Sequence, residues 1–143
     1  MKVGIASDHA GFPLKQFVKK ILEATGIEII DYGCFSDASC DYPDYAHALA
    51  KGIENEECRV GIGICGSGEG ISMALNKHAS IRAALCWIPE IAELARKHND
   101  ANVLVMPGRF ISEETAREIV DKFFHTEFEG GRHIRRVNKI PIQ

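Results

Sequence analysis

Two periodicities alternate along this chain. Short apolar runs rich in Ile and Val are followed by longer segments whose apolar residues recur every three or four positions. The first kind predicts buried strands and the second predicts amphipathic helices. Their alternation predicts a single α/β domain, residues 1–143, built on a five-stranded parallel sheet. The strands are expected at 3–7, 27–32, 59–65, 81–86 and 103–106.

Each strand is followed by a segment with one apolar face and recognisable helix signals. Pro13 and Pro89 stand where a first helical turn tolerates proline, Gly26 is a typical stop, and Ser112 is a typical N-cap. The residues expected to face the core are Leu14, Phe17, Val18, Ile21 and Leu22 in the first helix; Ala46, Leu49, Ala50 and Ile53 in the second; Ile71, Ala74 and Leu75 in the third; Ile91, Leu94, Ala95 and His98 in the fourth; and Ile119, Val120, Phe123 and Phe124 in the fifth.

A glycine-rich turn separates the third strand from the third helix. It reads Cys65-Gly66-Ser67-Gly68-Glu69-Gly70. With no Cβ at three positions, its backbone N–H groups can converge on an anion, and a helix N-terminus adds partial positive charge. The spacing matches neither the dinucleotide-binding fingerprint nor the nucleoside-triphosphate loop. Two interpretations stay open: an anion-binding loop carrying a thiol, a hydroxyl and a carboxylate, or a tight turn without a ligand.

Polar residues follow three of the expected strands directly. Asp8 and His9 come after the first strand, the Cys65 turn after the third, and Arg109 after the fifth. Ligands of open α/β sheets bind at the carboxyl ends of the strands. We therefore expect these residues to meet in one site.

Charge and composition narrow the class of protein. The net charge of −3 and the pI near 6.1 disfavour a general nucleic-acid surface. No apolar stretch approaches the ~20 residues of a membrane span, and no signal-peptide pattern precedes the first strand. The sequence predicts a cytoplasmic protein that binds neither nucleic acid nor membranes.

The five cysteines and six histidines predict no metal or disulfide motif. No two cysteines form a Cys-x-x-Cys pair, and the histidines lack ligand spacing, so reduced thiols and no metal site are expected. Cys65 alone lies in a reactive setting, because a helix N-terminus stabilises a thiolate. Cys86 is expected in the core, and Cys34, Cys40 and Cys58 are expected in loops without partners.

Three further features allow both a structural and a functional interpretation. His98 is either packed at a helix C-terminus, where the dipole favours it, or part of a polar site with the neighbouring Asn99. Arg132 and Arg136 form either a solvated basic tail or a phosphate clamp, since guanidinium donors match phosphate oxygens. Glu69 is either a base or a solvent-facing carboxylate in the first turn of a helix.

The order of motifs along the chain resembles the B-type ribose-5-phosphate isomerases, which belong with the galactose-6-phosphate and allose-6-phosphate isomerases. The similarity spans nearly the whole length. The matching pieces are Ser7-Asp8-His9-Ala10-Gly11, Asp41-Tyr42-Pro43, Ile64-Cys65-Gly66-Ser67-Gly68, Ala74-x-Asn76-Lys77, His98-Asn99-Asp100-Ala101-Asn102 and Gly130-Gly131-Arg132-His133-x-x-Arg136.

The resemblance implies a three-layer α/β/α sandwich of the Rossmann-like type. It also implies a cofactor-free and metal-free aldose–ketose isomerase that interconverts ribose 5-phosphate and ribulose 5-phosphate through an enediolate, in the non-oxidative pentose phosphate pathway. The family base is a cysteine before the loop or a glutamate six residues later. Cys65 holds the first place and Ile71 the second, so this chain resembles the cysteine type and Glu69 does not match the glutamate base.

The remaining roles also follow from the resemblance. His98 assists ring opening, while Ser67 and the loop amides hold the enediolate. The sugar and its phosphate contact Asp8, His9, Tyr42, Gly66, Gly68, Glu69, Gly70, Asn99, Arg109, Arg132 and Arg136. A homodimer, or a dimer of dimers, shares its sites, with the basic tail at about 130–143 packed on the partner. A tetrose or hexose phosphate as substrate, and a non-catalytic sugar-phosphate module, stay open as alternatives.

Overall fold

The five strands form one parallel sheet in the order β2-β1-β3-β5-β4. The structure is a computed structural model and describes residues 1–142. The predicted five-stranded parallel sheet is confirmed. The strands are β1 (Lys2–Ser7), β2 (Glu28–Asp31), β3 (Val60–Cys65), β4 (Ala83–Leu85) and β5 (Val103–Pro107).

Helices cover both faces of the sheet, so the three-layer α/β/α sandwich is confirmed as well. The core consists of two clusters of buried apolar side chains. The first, fourth and fifth helices contribute to one cluster, and the second and third helices contribute to the other. The helices are α1 (Phe12–Glu23), α2 (Tyr42–Glu54), α3 (Glu69–Leu75), α4 (Pro89–Asn99), α5 (Glu113–Phe124) and α6 (Arg132–Val137).

Local signals set most of the boundaries where they were expected. Pro13 and Pro89 lie in the first turns of α1 and α4. The Ser112 hydroxyl accepts a hydrogen bond from the Thr115 N–H at 3.1 Å, which confirms the predicted N-cap of α5. Among residues 1–142, no helix combines the length and the apolar character needed to cross a bilayer.

The inward face of α4 differs from the prediction. Leu94, expected in the core, is 44% exposed, whereas Ala92 and Ala95 are buried. The helix packs closely on its neighbour α5, and small side chains permit that approach. The edge strand β4 is also shorter than expected, because only residues 83–85 pair with β5.

Candidate active site

The C-terminal ends of the parallel strands β1, β3 and β5 lie side by side, and we call this end of the sheet the carboxyl edge. The Asp8 N–H donates to the Ile64 carbonyl at 3.3 Å, and the Gly108 N–H donates to the Cys65 carbonyl at 2.9 Å. The Arg109 N–H donates to the Gly66 carbonyl at 3.0 Å. The predicted convergence of Asp8, Cys65 and Arg109 is therefore confirmed.

The Cys65 loop begins in the core and ends at the surface. Cys65 is 4% exposed, whereas Ser67 and Glu69 are exposed. Gly68 has φ 79°, and a Cβ there would collide with Leu85, so this position requires glycine. The Ser67 hydroxyl accepts a hydrogen bond from the Glu69 N–H at 3.2 Å, which leaves its own proton available to donate.

The helix that follows the loop is short. It has seven residues, so its dipole is weaker than the sequence led us to expect. Donors for an anion at this place are mainly the loop amides and the Ser67 hydroxyl. Glu69 lies at the start of the helix and faces solvent, whereas Ile71 is fully buried.

Two further side chains close over this loop. The Arg109 side chain lies against Gly66, where its Cδ and Nη1 atoms are 3.4 and 3.5 Å from the position that a Cβ would take. The Tyr42 ring packs on Gly70 from the first turn of α2. A cation and a phenol therefore flank the glycines that carry the amide donors.

Asp8 and His9 have additional partners within the fold. Asp8 is buried, and its Oδ1 atom accepts a hydrogen bond from the Gly11 N–H at 3.0 Å, just before α1. The His9 Nδ1 atom accepts a hydrogen bond from the Cys40 N–H at 3.3 Å. A neutral His9 therefore carries its proton on Nε2, where it can donate to a ligand.

The remaining predicted site residues lie at the opposite edge of the sheet, the amino edge. His98 and Asn99 end α4, just before β5 begins at Val103, and α6 packs beside them. Val103 is paired with Gly61 and Pro107 with Cys65. Four steps at about 3.3 Å each separate these pairs, so His98 lies roughly 13 Å or more from Cys65 along the strands. One chain does not bring His98, Asn99, Arg132 or Arg136 to the Cys65 loop.

Comparisons with known proteins identify the family of this chain. The family model described as Ribose/Galactose Isomerase matches residues 3–140. This chain belongs to the ribose/galactose isomerase family.

Its relatives cover nearly the whole chain. Ribose-5-phosphate isomerase B of Escherichia coli K12 is 45% identical over 139 residues, which are 97% of this chain and 93% of that protein. The crystal structure of a ribose 5-phosphate isomerase from Thermotoga maritima is 53% identical with a TM-score of 0.96, and the match covers 98% and 97% of the two chains. The Mycoplasma genitalium enzyme, solved with bound ribulose-5-phosphate, is 41% identical with a TM-score of 0.92 and coverage of 97% and 93%.

Asn76 has a structural role in this chain. The Asn76 side chain donates to the Ala83 carbonyl at 3.0 Å and accepts from the Ala83 N–H at 2.8 Å. This pair fixes the start of the edge strand β4 to the end of α3. The Cys65 loop and β4 are thereby held in one orientation.

At the amino edge, His98 is part of a cluster of side chains that the sequence spacing did not reveal. His98 stacks on His133 with ring centroids 4.4 Å apart and planes at 14°, and its Nε2 atom lies 3.6 Å from Glu129 Oε1. The ligand atoms of these three residues lie within 4.8 Å of one another. The nearly parallel rings do not direct two lone pairs at one ion, so the arrangement fits a proton-handling group better than a metal site. Separations of 31 and 4 residues match no metal motif, so the spacing along the chain does not predict this cluster.

The charges around His133 have a definite effect. Burial lowers the pKa of His133, and the positive charges of His98, Arg132 and Arg136 lower it further, while Glu129 opposes them. Arg132 and Arg136 themselves are exposed on α6. His133 is therefore protonated to a smaller extent at neutral pH than a free imidazole, which keeps a nitrogen of its ring available to accept a proton.

A cleft beside the Cys65 loop was also missed by sequence reasoning. It has a volume of about 310 Å³ and includes Ser67, Glu69, Trp87 and Phe110 in its lining. Trp87 and Phe110 follow the ends of β4 and β5, and both are exposed. Another cleft, of about 350 Å³ between α1 and α5, contains none of the predicted site residues.

Cys34, Cys40 and Cys58 lie in loops and form no disulfide, as predicted, but each has a polar contact that the sequence did not predict. Cys34 Sγ donates to the Ser36 carbonyl at 3.2 Å, Cys58 Sγ lies 3.8 Å from the Tyr32 hydroxyl, and Cys40 contacts His9. Cys34 and Cys58 are both 3% exposed. Free thiols behave as small apolar groups, which explains their burial beneath loops. Cys86 is fully buried, as predicted.

Proposed function

We propose that this chain is an aldose–ketose isomerase that interconverts D-ribose 5-phosphate and D-ribulose 5-phosphate through an enediolate. The observation that carries the proposal is a buried thiol, Cys65, at the end of a central strand and directly before the glycine-rich loop of residues 66–70. A family member 41% identical to this chain binds ribulose-5-phosphate. The non-oxidative pentose phosphate pathway is the corresponding metabolic role.

In the proposed mechanism Cys65 is the base that moves the proton. Its thiolate removes the proton from C2 of the open-chain aldose, and the electron pair moves through C1 to the carbonyl oxygen. The loop amides of residues 66–70 and the Ser67 hydroxyl donate to the developing oxyanion. Reprotonation at C1 and transfer of the O2 proton to O1 give the ketose. These steps use protein groups alone and require no cofactor or metal.

A thiol at this position suits the proton transfer because of its acidity and because of where it lies. An ordinary cysteine has a pKa near ~8.5, close enough to neutral pH for a general base to act efficiently. Ile71 places an apolar side chain where other family members have a glutamate, and Glu69 faces solvent. Within the loop, Cys65 is therefore the residue that both adjoins the anion donors and can accept the proton.

Substrate positioning completes the carboxyl edge. Asp8, His9 and Tyr42 would contact the sugar hydroxyls, together with Gly66, Gly68, Glu69 and Gly70 of the loop. Arg109 lies against Gly66 and would take one side of the phosphate. Its guanidinium offers paired donors that match phosphate oxygens.

The amino edge of a partner subunit would supply the other half of each site. His98 would shuttle the ring-opening proton, Asn99 would contact the sugar, and Arg132 and Arg136 would clamp the phosphate. This assignment is supported by the separation of roughly 13 Å within one chain, estimated from strand spacing. It is also supported by the exposed Ile134, Ile140 and Ile142 beside these arginines, which a partner could cover. A homodimer with two shared sites, single or paired into a dimer of dimers, is the simplest closed assembly.

The cellular setting follows from the same chemistry. A metabolic isomerase whose five cysteines are free, as they are here, suits the reducing cytoplasm. The acidic net charge of −3 gives no reason to expect nucleic acid as a partner. The proposed partners are a sugar phosphate and a second copy of the chain.

The reaction and its substrate are tested together with a panel of sugars. The purified chain is incubated with phosphorylated aldoses of four, five and six carbons and with free ribose, in deuterated water. We expect ribose 5-phosphate to be converted fastest and to exchange its C2 proton, and free ribose to react very poorly. Faster conversion of a tetrose or hexose phosphate would identify that sugar as the substrate instead of ribose 5-phosphate. If no sugar exchanged its C2 proton, the chain would be a non-catalytic sugar-phosphate-binding protein.

The shared site is tested by mixing two inactive variants, Cys65→Ala and His98→Ala. Random pairing produces mixed dimers that each contain one intact site. By symmetry, the mixture should recover about a quarter of the wild-type activity. Native mass spectrometry would verify that mixed dimers are present. A mixture with such dimers but no recovered activity would assign each site to one chain.

A further inference from the structure

Glu129 lies beside His98 at the amino edge, and none of the proposed steps uses it. Its Oε1 atom is 3.6 Å from His98 Nε2. Its backbone N–H donates to the Lys97 carbonyl at 3.1 Å, so the main chain at Glu129 is fastened to the last turn of α4. The carboxylate therefore approaches the imidazole from a backbone position that is fixed relative to it.

The carboxylate of Glu129 is not claimed by a stronger cation. Two other carboxylates near the end of α4 are held by lysine and arginine side chains. These pairs are Glu93 with Lys97 and Lys122, and Asp100 with Arg96 and Arg82. Within the described residues 1–142, the ion-pair partner of Glu129 is His98 alone. The charge of Glu129 is thus directed at this imidazole.

His133 fixes the plane of the same imidazole. The His98 and His133 rings stack with centroids 4.4 Å apart and planes at 14°. His133 is buried, whereas part of the His98 side chain is exposed. A ring that is stacked on one face and faces a carboxylate at one nitrogen has few orientations left. Its exposed part is the part that a substrate can reach.

From this geometry we propose that Glu129 is a positioning residue for His98 in the opening of the sugar ring. A carboxylate at Nε2 selects the neutral tautomer that carries its proton there, which leaves the electron pair on Nδ1 free. The buried aspartate of a serine protease triad orients its histidine in the same way. Catalytic hydrogen bonds are often long in a free enzyme and shorten when substrate binds, which accommodates the separation of 3.6 Å. This assignment rests on the proposed function.

Ring opening moves one proton off the sugar and one onto it. His98 Nδ1 takes the proton of the C1 hydroxyl, and the electron pair left on that oxygen forms the C1 carbonyl. The C1–O4 bond breaks, and its electron pair stays on O4, which takes a proton from water. The imidazolium returns its proton to the hydroxide that results. Between these transfers, the Glu129 carboxylate faces the positive charge on His98.

Two substrates separate ring opening from proton transfer at carbon. Ribose 5-phosphate closes a furanose ring through its C4 hydroxyl. Ribulose 5-phosphate carries its phosphate on the C5 oxygen that the C2 carbonyl would need for a five-membered ring, so it stays open. Exchange of a C1 proton of ribulose 5-phosphate in deuterated water therefore requires Cys65 but no ring opening.

The test compares the full-length wild-type chain with Glu129→Gln, which keeps the shape of the side chain and removes its charge. Turnover of ribose 5-phosphate should fall by about 10- to 100-fold, a part of the roughly 10²–10⁴-fold that a positioned acid–base group contributes. Proton exchange of ribulose 5-phosphate should stay close to the wild-type rate, which also shows that the variant is folded. Glu127→Gln, an exposed position in the same segment, is the matched control and should leave both rates unchanged.

Several outcomes would overturn the assignment. Wild-type turnover of ribose 5-phosphate by Glu129→Gln would show that His98 needs no carboxylate. Equal losses with both sugars would show a general disturbance of the site, and the same losses in Glu127→Gln would show an effect of net charge. If the wild-type chain neither converted ribose 5-phosphate nor exchanged ribulose 5-phosphate, the proposed function would fail, and this assignment with it.

Discussion

The two edges of the sheet are built in different ways. At the carboxyl edge, strand ends hold Asp8, Cys65 and Arg109 through backbone hydrogen bonds of 2.9–3.3 Å, and Cys65 is almost completely buried. At the amino edge, the His98 side chain is 38% exposed. Arg132 and Arg136 lie on α6, a six-residue helix in which only His133 is buried. One edge is complete within the chain, and the other presents its polar groups outward.

This difference indicates a division of labour in the proposed reaction. Proton transfer next to a carbonyl demands donors and a base fixed within a few tenths of an ångström, which strand ends provide. Ring opening and phosphate binding tolerate more movement, so exposed side chains on helix ends can carry them. The five predictions below compare the two edges, from the largest expected effect to the smallest.

The largest effect is expected at the carboxyl edge with Cys65→Ala. Without the base, turnover should fall by ~10²–10⁴-fold while the KM changes little. Exchange of the substrate's C2 proton with solvent should fall equally. Cys86→Ala is the matched control, because burial raises the pKa of Cys86 to about 12 and makes it unfit as a base. Near-normal exchange in the Cys65 variant would assign the base elsewhere.

The stability of the carboxyl edge should depend strongly on Lys15. This fully buried ammonium donates to Asp31 at 2.7 and 2.9 Å and to the Cys34 carbonyl. Because one partner of the pair stays behind, we expect Lys15→Met to lower the free energy of unfolding by about 3–5 kcal/mol, measured with urea at pH 7. Lys19→Met, which removes a more exposed partner of the same carboxylate, is the control and should cost less.

The same ion pair has a defined pH window. Burial alone would raise the pKa of Asp31, but hydrogen bonds from Lys15, Gly33 and Lys19 bring it below its usual value. A carboxyl group with a lowered folded pKa stabilises the protein above its unfolded pKa of about 3.9 and loses this effect as the pH falls through the folded value. The difference between wild type and Lys15→Met should therefore shrink below about pH 4. A difference that is constant down to pH 2 would point to lost packing instead.

The amino edge should respond through affinity rather than turnover. Arg136→Ala should raise the KM for ribose 5-phosphate by roughly 30-fold, equivalent to about 2 kcal/mol, the lower end for losing one partner of a desolvated charge pair. Arg117→Ala on α5 is the control, since it removes an exposed arginine from a helix outside the proposed site. Equal effects of the two variants would show that general charge, not a clamp, attracts the phosphate.

The smallest effect is expected from the stacked imidazole at the amino edge. The folded pKa of His133 is lowered, so the unfolded chain binds the proton more tightly and protonation favours unfolding. Stability should be full above about pH 6.5, the usual pKa, and decline as the pH falls below it. His133→Phe keeps a flat ring against His98 and should flatten this part of the stability curve. An unchanged curve would assign the titration to another group.

The sequence predicted the carboxyl edge well and the amino edge only through family resemblance. Asp8, Cys65 and Arg109 each follow a strand, and a parallel sheet brings such residues together whatever the strand order. His98 instead precedes a strand, and the beginnings of parallel strands lie at the opposite edge of the sheet. The periodicity of the sequence does not predict which surface a second chain covers. The clustering of His98, Glu129 and His133 depends on how α6 packs against α4, a long-range contact without a local signal.

Individual errors have similarly local causes. Leu94 fits the apolar stripe of α4 by spacing, yet the close approach of α5 favours alanines at the contact and leaves the leucine outside. Cys34 and Cys58 lie in loops, as predicted, but their burial was not predicted, because the packing of the whole chain covers them. In both cases the predicted helix or loop was right, but tertiary packing determined which of its side chains are buried.

The outermost strands of the sheet limit how copies of this molecule can associate. β2 has four residues, with Glu28 and Asp31 at its ends, and β4 has only three. Short strands with charged ends offer few unpaired amides and carbonyls to an incoming strand, a known protection against edge-to-edge aggregation. A second copy therefore has little to gain by extending the sheet. We expect stable assemblies to form through helix and loop surfaces, which leaves the backbone of each subunit's sheet closed to its neighbours.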